Sequence, residues 1–279
     1  MDFVKTLSDI SDNSNIKHAD GDYEGENGLL YCGKCNSPKQ CEIRLNGRVL
    51  RPYCLCECEA KAVKLQEDSE KAENLKEEIE RTRKSGFPDP ELMQWTFAID
   101  DRANEKASDI SLRYCTHFLS MKEKGKGILY LGNCGTGKTF LAACIANELI
   151  NQGFSVLMTN FSRLVNIIFG LREGKQNYID SLNSYDLLII DDLGVERQSE
   201  YVAEIVQNIV DSRYRAGLPL IITTNLTPKD FSAESSDIAK SRLYSRISEM
   251  CLPVVVSGAD RRKKNSAACD SELKKLLGL

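Results

Sequence analysis

The run Gly132-Asn133-Cys134-Gly135-Thr136-Gly137-Lys138-Thr139 has the composition of a phosphate cradle. It satisfies Gly-x-x-x-x-Gly-Lys-Thr in full. It follows a short apolar run, Ile128-Leu129-Tyr130-Leu131, and opens a helical pattern that continues to about Asn151. Glycine lets successive backbone N–H groups converge on an anion, and a helix N-terminus adds partial positive charge. In such a loop a lysine at position 138 reaches the β- and γ-phosphates of a nucleoside triphosphate, and the hydroxyl of Thr139 ligates Mg²⁺. The pattern predicts ATP and Mg²⁺ as ligands of residues 132–139.

A second element completes that chemistry. Asp186-Leu187-Leu188-Ile189-Ile190-Asp191-Asp192 is an apolar strand ending in two acids, the Walker B arrangement. Asp191 is expected to share the Mg²⁺ shell with Thr139, and Asp192 to polarise the attacking water. Thr223-Thr224-Asn225 ends another apolar run, where the Asn225 amide can orient water near the γ-phosphate. An Asn that merely forms the turn before Thr227-Pro228 is the competing reading. Arg242 and Arg246 stand four apart on a helical pattern, as solvated surface residues would. Arg261-Arg262-Lys263-Lys264 is a basic run that suits phosphate as well as a soluble tail.

The cysteines carry a third chemistry. Of 11, six lie between Cys32 and Cys58, and the remainder are scattered. Met1–Ile10 has acids and no apolar core, unlike a secretion signal, so a metal is favoured over a disulfide framework. Cys32-x-x-Cys35 and Cys54-x-Cys56 form two close pairs that suit tetrahedral Zn²⁺, with Cys58 able to replace Cys54 or Cys56.

The remaining pattern positions these groups. The chain has 279 residues and a net charge of −4, so nucleic-acid contact would need local patches. No apolar run is long enough for a membrane span, and a cytoplasmic location is expected. Residues 1–27 are polar and read as a flexible N-terminus, and 28–58 as the zinc-binding module, with a hairpin signal at Asn46-Gly47. Residues 59–86 are dense in Glu and Lys and read as a helical linker. Its weak heptad, Leu65, Ala72 and Ile79, fits a solvated helix better than a coiled coil. Gly86-Phe87-Pro88 breaks that helix. From residue 87 to 279 strands alternate with helices: 128–131, 155–159, 187–190, 220–224 and 252–256 as strands, 138–151 and 200–215 as helices. This predicts an α/β fold with a parallel sheet covered on both faces. Phe161, Arg163, Arg172 and Lys175, between the second and third strands, are candidates for DNA contact, with core packing or solvated surface as the simpler roles.

With these motifs in hand, the chain resembles the DnaC/IstB-like AAA+ ATPases, and within them the replicative helicase loaders of Gram-positive bacteria and their phages. The resemblance is carried by Asp191-Asp192-Leu193-Gly194-Val195-Glu196-Arg197, Ser199-Glu200-Tyr201, Asp211-Ser212-Arg213-Tyr214, the run from Leu218 to Leu226 and the cysteine module. It implies that Asn225 is sensor 1, Arg246 an arginine finger completing a neighbouring subunit's ATP site, and Arg261 sensor 2. It further implies an AAA+ domain with little or no lid, self-association through the ATP site, single-stranded DNA and the hexameric replicative helicase as partners, and the cysteine module as the helicase-docking part. The Asp-Asp ending, where AAA+ proteins usually have Asp-Glu, implies slow basal hydrolysis with ATP as a switch. A transposase regulator of the IstB type, or an ATP-binding adaptor without hydrolysis, are the alternatives.

Overall fold

A computed structural model describes residues 19–45, 47–87, 89–194, 200–232, 238–261 and 277. Val195, Glu196, Arg197 and Ser199 of the family-like motif, Arg262-Lys263-Lys264 and Cys269 lie outside these residues. The chain divides into two units, Met1–Lys76 and Glu77–Leu279.

In the first unit β1 (Tyr23–Glu24) pairs antiparallel with β2 (Leu30–Tyr31), and β3 (Ile43–Leu45) with β4 (Arg48–Leu50). The β3–β4 pair is the hairpin that alternation around Asn-Gly predicts. Residues 19–27, assigned to the flexible N-terminus by composition, instead belong to this unit. The reason is electrostatic. Lys39 is buried, and its ammonium pairs with Asp22 at 2.7 Å and Glu59 at 3.2 Å. A buried cation needs such partners, and Asp22 has to be held in place to serve as one. Helix α1 (Glu57–Gly86) follows. Leu65 and Leu75 on it are exposed, as a solvated helix requires, while Ile79, on the last turns that belong to the second unit, packs within that unit's own core.

The second unit contains α2 (Glu105–Thr116), α3 (Phe118–Glu123), β5 (Gly127–Leu131), α4 (Lys138–Asn151), β6 (Val156–Asn160), α5 (Phe161–Gly170), α6 (Lys175–Ser181), β7 (Leu187–Leu193), α7 (Glu200–Arg215), β8 (Leu220–Thr224), α8 (Pro228–Ser232), α9 (Ile238–Met250) and β9 (Cys251–Val255). The five strands run parallel in the order β6-β7-β8-β5-β9. Strand side chains alternate between faces. Ile128, Tyr130, Leu187 and Ile189 therefore enter a core with α2 and α4, while Leu129, Leu131, Leu188 and Ile190 enter another with α5, α7 and α9. Burial on both faces explains the near-continuous apolar runs in the sequence.

The order of strands matters for function. From β5 the chain crosses to the far edge, returns through β7 to β8, then crosses β5 to form β9. This reversal opens a crevice at the carboxyl ends of β5 and β8, the usual ligand position in an open α/β sheet.

Arg213 ties the opposite ends of the strands together. It is 1% exposed, and its guanidinium donates to the carbonyls of Leu182, Tyr185, Asp186 and Pro219. Burial lowers its pKa to about 10, so it stays charged at neutral pH. Carbonyl dipoles from the segments entering β7 and β8 stand in for a counter-ion. Arg213→Met leaves these buried acceptors unpaired and is expected to cost on the order of 3 kcal/mol. Urea unfolding checks this, and a loss below about 0.5 kcal/mol would refute the role.

Candidate functional site

The loop after β5 turns through Gly132, at φ 152°, and reaches α4 through Gly137, at φ 99°. A side chain at Gly132 would collide with the carbonyl of Val256, so the close approach of the β9 extension demands glycine there. The same extension closes over the loop. Val256 N–H donates to the Leu131 carbonyl at 2.7 Å, and Arg261 N–H to the Gly135 carbonyl at 3.0 Å. Within the loop the Thr136 hydroxyl bonds the Asn133 carbonyl at 3.0 Å, while Asn133 and Cys134 are exposed.

Lys138 begins α4 and is 5% exposed. Its ammonium donates to the carbonyls of Gly132 and Asn133 and to Asn225 Oδ1, each at 2.8 Å. The strand order explains the last contact. β8 lies beside β5, so Asn225, one residue past the end of β8, stands next to the loop.

Beyond β8 lies β7, whose end carries the two acids. Asp191 Oδ1 accepts the Thr139 hydroxyl at 2.9 Å and also the Thr223 hydroxyl. Burial, and after it the charge of Asp192, raises the Asp191 pKa against the pull of both hydroxyls and of Lys138. A half-buried carboxylate beside a second acid and a hydroxyl is a donor set that suits a hard divalent cation. Thr139 and Asp191 thus fit the expected Mg²⁺ pair.

Asp192 has left-handed backbone, φ 59°, where pairing of β7 with β8 slips between Ile190 and Leu193. Asp tolerates this region better than most residues, at a cost of about 1 kcal/mol. The Asp192 N–H donates to Thr223 Oγ1 at 3.0 Å, which fixes the bulge, and its side chain is exposed. Thr223 therefore holds both acids, a role the sequence reading did not give it. The available signal was its place in Thr-Thr-Asn, two residues before the amide.

Arg261 forms an ion pair with Asp101, and a side chain at Gly137 would touch its guanidinium. It stands over the loop, where a phosphate contact is possible. Arg246 is elsewhere: its partners are Asp211 and the Tyr214 ring on α7, none of them in the loop. Arg242 is exposed. Among the DNA candidates Phe161 is core, 1% exposed, and cannot contact DNA. Arg163 and Arg172 are exposed, and Lys175 donates to the Tyr201 hydroxyl at 2.8 Å.

In the first unit the sulfurs of Cys32, Cys35, Cys56 and Cys58 lie within 4.8 Å of one another. Cys32 and Cys58 are 3.6 Å apart, and Cys56 and Cys58 3.2 Å. Tetrahedral zinc with Zn–S of about 2.3 Å needs sulfurs roughly 3.8 Å apart, so the four thiols fit that ion. Cys58, the alternative offered by the sequence, stands in this cluster, and Cys54 does not. Its neighbourhood is a strand pairing in which Cys54 N–H donates to the Lys39 carbonyl, and its thiol faces the Pro38 carbonyl at 3.7 Å. Cys56, by contrast, caps α1. Glu59, three residues on, accepts the Cys56 N–H at 3.2 Å in a capping-box arrangement. Cys56 and Cys58 thereby share the first turn of a helix, and burial pushes the Cys56 thiol up to about 12, so it needs a cation beside it to be held as thiolate. Glu59 was the signal that could have placed Cys58 in the set. Asn36, left-handed at φ 55°, turns the other pair, and the Ser37 hydroxyl at 3.0 Å from Cys35 lowers that thiol's pKa to about 6.

The model of the IstB-like ATP binding protein family matches residues 72–269, more than half of the chain. The chain belongs to the IstB-like ATP-binding family. Among the relatives of this IstB-like chain is the replicative helicase loader DnaI of Bacillus subtilis, 26% identical over 150 residues, which are 50% of this chain and 48% of that protein. Another is the replicative helicase loader DnaC of Escherichia coli K12, 35% identical over 101 residues, 35% of this chain and 41% of that protein. The chain spans about half the length of the curated relatives it matches. A crystal structure of DnaI superposes with a TM-score of 0.53 at 26% identity, covering 65% of this chain and 99% of that one. The IstB/DnaC-like AAA+ resemblance drawn from the sequence is the family found. Among the described residues, no helix is long and apolar enough to cross a membrane.

Zinc content checks the revised ligand set. Cys32→Ser and Cys58→Ser are expected to lose the metal of the purified protein, whereas Cys54→Ser keeps one zinc per chain by elemental analysis. Equal loss in Cys54→Ser and Cys58→Ser would reject the assignment.

Proposed function

We propose that this chain is an ATP-dependent loader that binds the replicative DNA helicase and delivers it to single-stranded DNA, with ATP binding and slow hydrolysis as the switch. The observation that carries this is the convergence of Lys138, Thr139, Asp191 and Asn225 on one crevice in a chain whose relatives are named helicase loaders. The convergence supports nucleotide chemistry, and the relatives supply the partner. The names of those relatives and the four-thiol module favour a helicase over a transposase as the partner.

The chain's own residues divide the work. Loop N–H groups and the start of α4 bind the phosphates. The Lys138 ammonium exchanges the Gly132 and Asn133 carbonyls for β- and γ-phosphate oxygens, while Asn225 keeps it aimed at the crevice. Thr139 and Asp191 would hold Mg²⁺, which would supply positive charge against the phosphates. Asn225 and Asp192 orient and polarise the attacking water, and Arg261 contacts phosphate from above the loop. Arg246 acts on the ATP of a neighbouring copy. The zinc module serves as the helicase-docking part, held together by its metal.

Asp192 carries a shorter side chain than the Glu usual at its position, and no arginine of the same chain other than Arg261 is placed at the loop among the described residues. Turnover without partners is therefore expected below about 1 per minute. Lys138→Ala should abolish ATP binding in a calorimetric titration. Arg246→Ala should keep nucleotide affinity and lower the stimulated rate by about 10³-fold. Arg246→Ala that binds ATP yet hydrolyses it normally would reject the finger.

The loader reading is tested by mixing the full chain with a replicative helicase. A complex on size exclusion that depends on ATP, and that is lost in Cys32→Ser, Cys35→Ser, is expected. Absence of any complex with helicase, alongside binding to a transposase, would replace the loader with the transposition reading.

A further inference from the structure

The segment Asp211-Ser212-Arg213-Tyr214 lies at the end of α7, and none of its residues is assigned above to ATP. Its residues nonetheless have separate tasks. Arg213 is the buried tie between strands. The Ser212 hydroxyl accepts Asn183 Nδ2 at 2.9 Å and donates to Asp180 Oδ1 at 3.1 Å, fixing the turn before β7. Asp211 and Tyr214, three apart and so on one helix face, both turn to Arg246 of α9.

The contact is one-sided. Arg246 Nη1 pairs with Asp211 Oδ1, and both atoms are shielded from solvent. The Tyr214 ring lies 5.7 Å from the guanidinium carbon, within cation–π range. That ring is fixed at its far end, because the Tyr214 hydroxyl donates to Glu249 Oε1 at 3.0 Å. The Arg246 side chain is 34% exposed, and its Nε and Nη2 make no hydrogen bond among the described residues. A guanidinium is a rigid fork with five donors. Anchoring one prong and stacking the plane leaves the other donors directed by the anchor.

We propose that Asp211, with Tyr214, is a positioning residue that holds the Arg246 guanidinium ready for the ATP site of a second copy of this chain. This rests on the reading of Arg246 as acting between subunits. The anchor restricts the long side chain before assembly, so less freedom is lost when the neighbouring phosphate arrives. The carboxylate neutralises part of the charge and never touches the nucleotide itself. Its loss should lower the rate and leave ATP affinity alone.

Mixtures of full-length variants test this. Lys138→Ala copies cannot hydrolyse ATP but supply Arg246, and Arg246→Ala copies supply an ATP site without it. An equal mixture is expected to regain at least about 10-fold in turnover over Arg246→Ala alone. Adding Asp211→Asn to the Lys138→Ala donor should bring turnover back to within about twofold of Arg246→Ala alone. The single Asp211→Asn variant should show a reduced kcat with KM within about twofold. Tyr214→Leu in the donor should also reduce recovery, and it provides the answer if Asp211→Asn melts early. Full recovery with both donor variants would overturn the positioning role while sparing the finger. No recovery with the plain Lys138→Ala donor would overturn the finger, and the inference with it.

Discussion

The crevice depends on one carboxylate oxygen. Asp191 Oδ1 accepts hydroxyls from Thr139 at the start of α4 and from Thr223 at the end of β8. Three segments that are remote in sequence meet there, and each is delivered by a different strand. Because β8 lies between β5 and β7, it adds the Thr223 hydroxyl to the acid that Thr139 already reaches directly. Burial makes the oxygen reluctant to carry charge, and the two hydroxyls and Lys138 draw it back. This balance suits a group whose charge is fully used only beside a cation.

Much of this was legible in the sequence because the signals are local. The glycine spacing, the apolar runs and the paired acids each reside in fewer than ten residues; four of the five strands appear within a residue of the expected bounds, and β7 runs three residues further, through both acids to Leu193. What was not legible depends on contacts between distant segments. Residues 19–27 looked like a lead-in because they are polar, but Asp22 is required by Lys39. Cys54 looked like a ligand because Cys-x-Cys spacing is familiar, but strand pairing with Lys39 commits it elsewhere. Thr223 looked like an ordinary strand residue, since a hydroxyl carries no spacing signal of its own.

The two units solve different stability problems. The second buries apolar residues on both faces of a five-stranded sheet, with a cation among carbonyls at one end. The first has strands of two or three residues and leaves Ile43, Leu45 and Val49 more than 40% exposed. Apolar burial alone is thin for such a unit; the Lys39 ion network stands beside four thiols grouped as a tetrahedral cation would need them.

The sheet's edges have a consequence for how copies can meet. β9 is one edge, and Pro253 stands in its middle, where a missing N–H interrupts any continuous ladder. β6 is the other, and the backbone of Gly86 presses against the Val156 carbonyl there, so closely that no side chain would fit. Each edge thus carries one feature that interrupts pairing with another strand. Such interruptions oppose association by sheet extension, the route to runaway fibres, and favour contacts made by side chains.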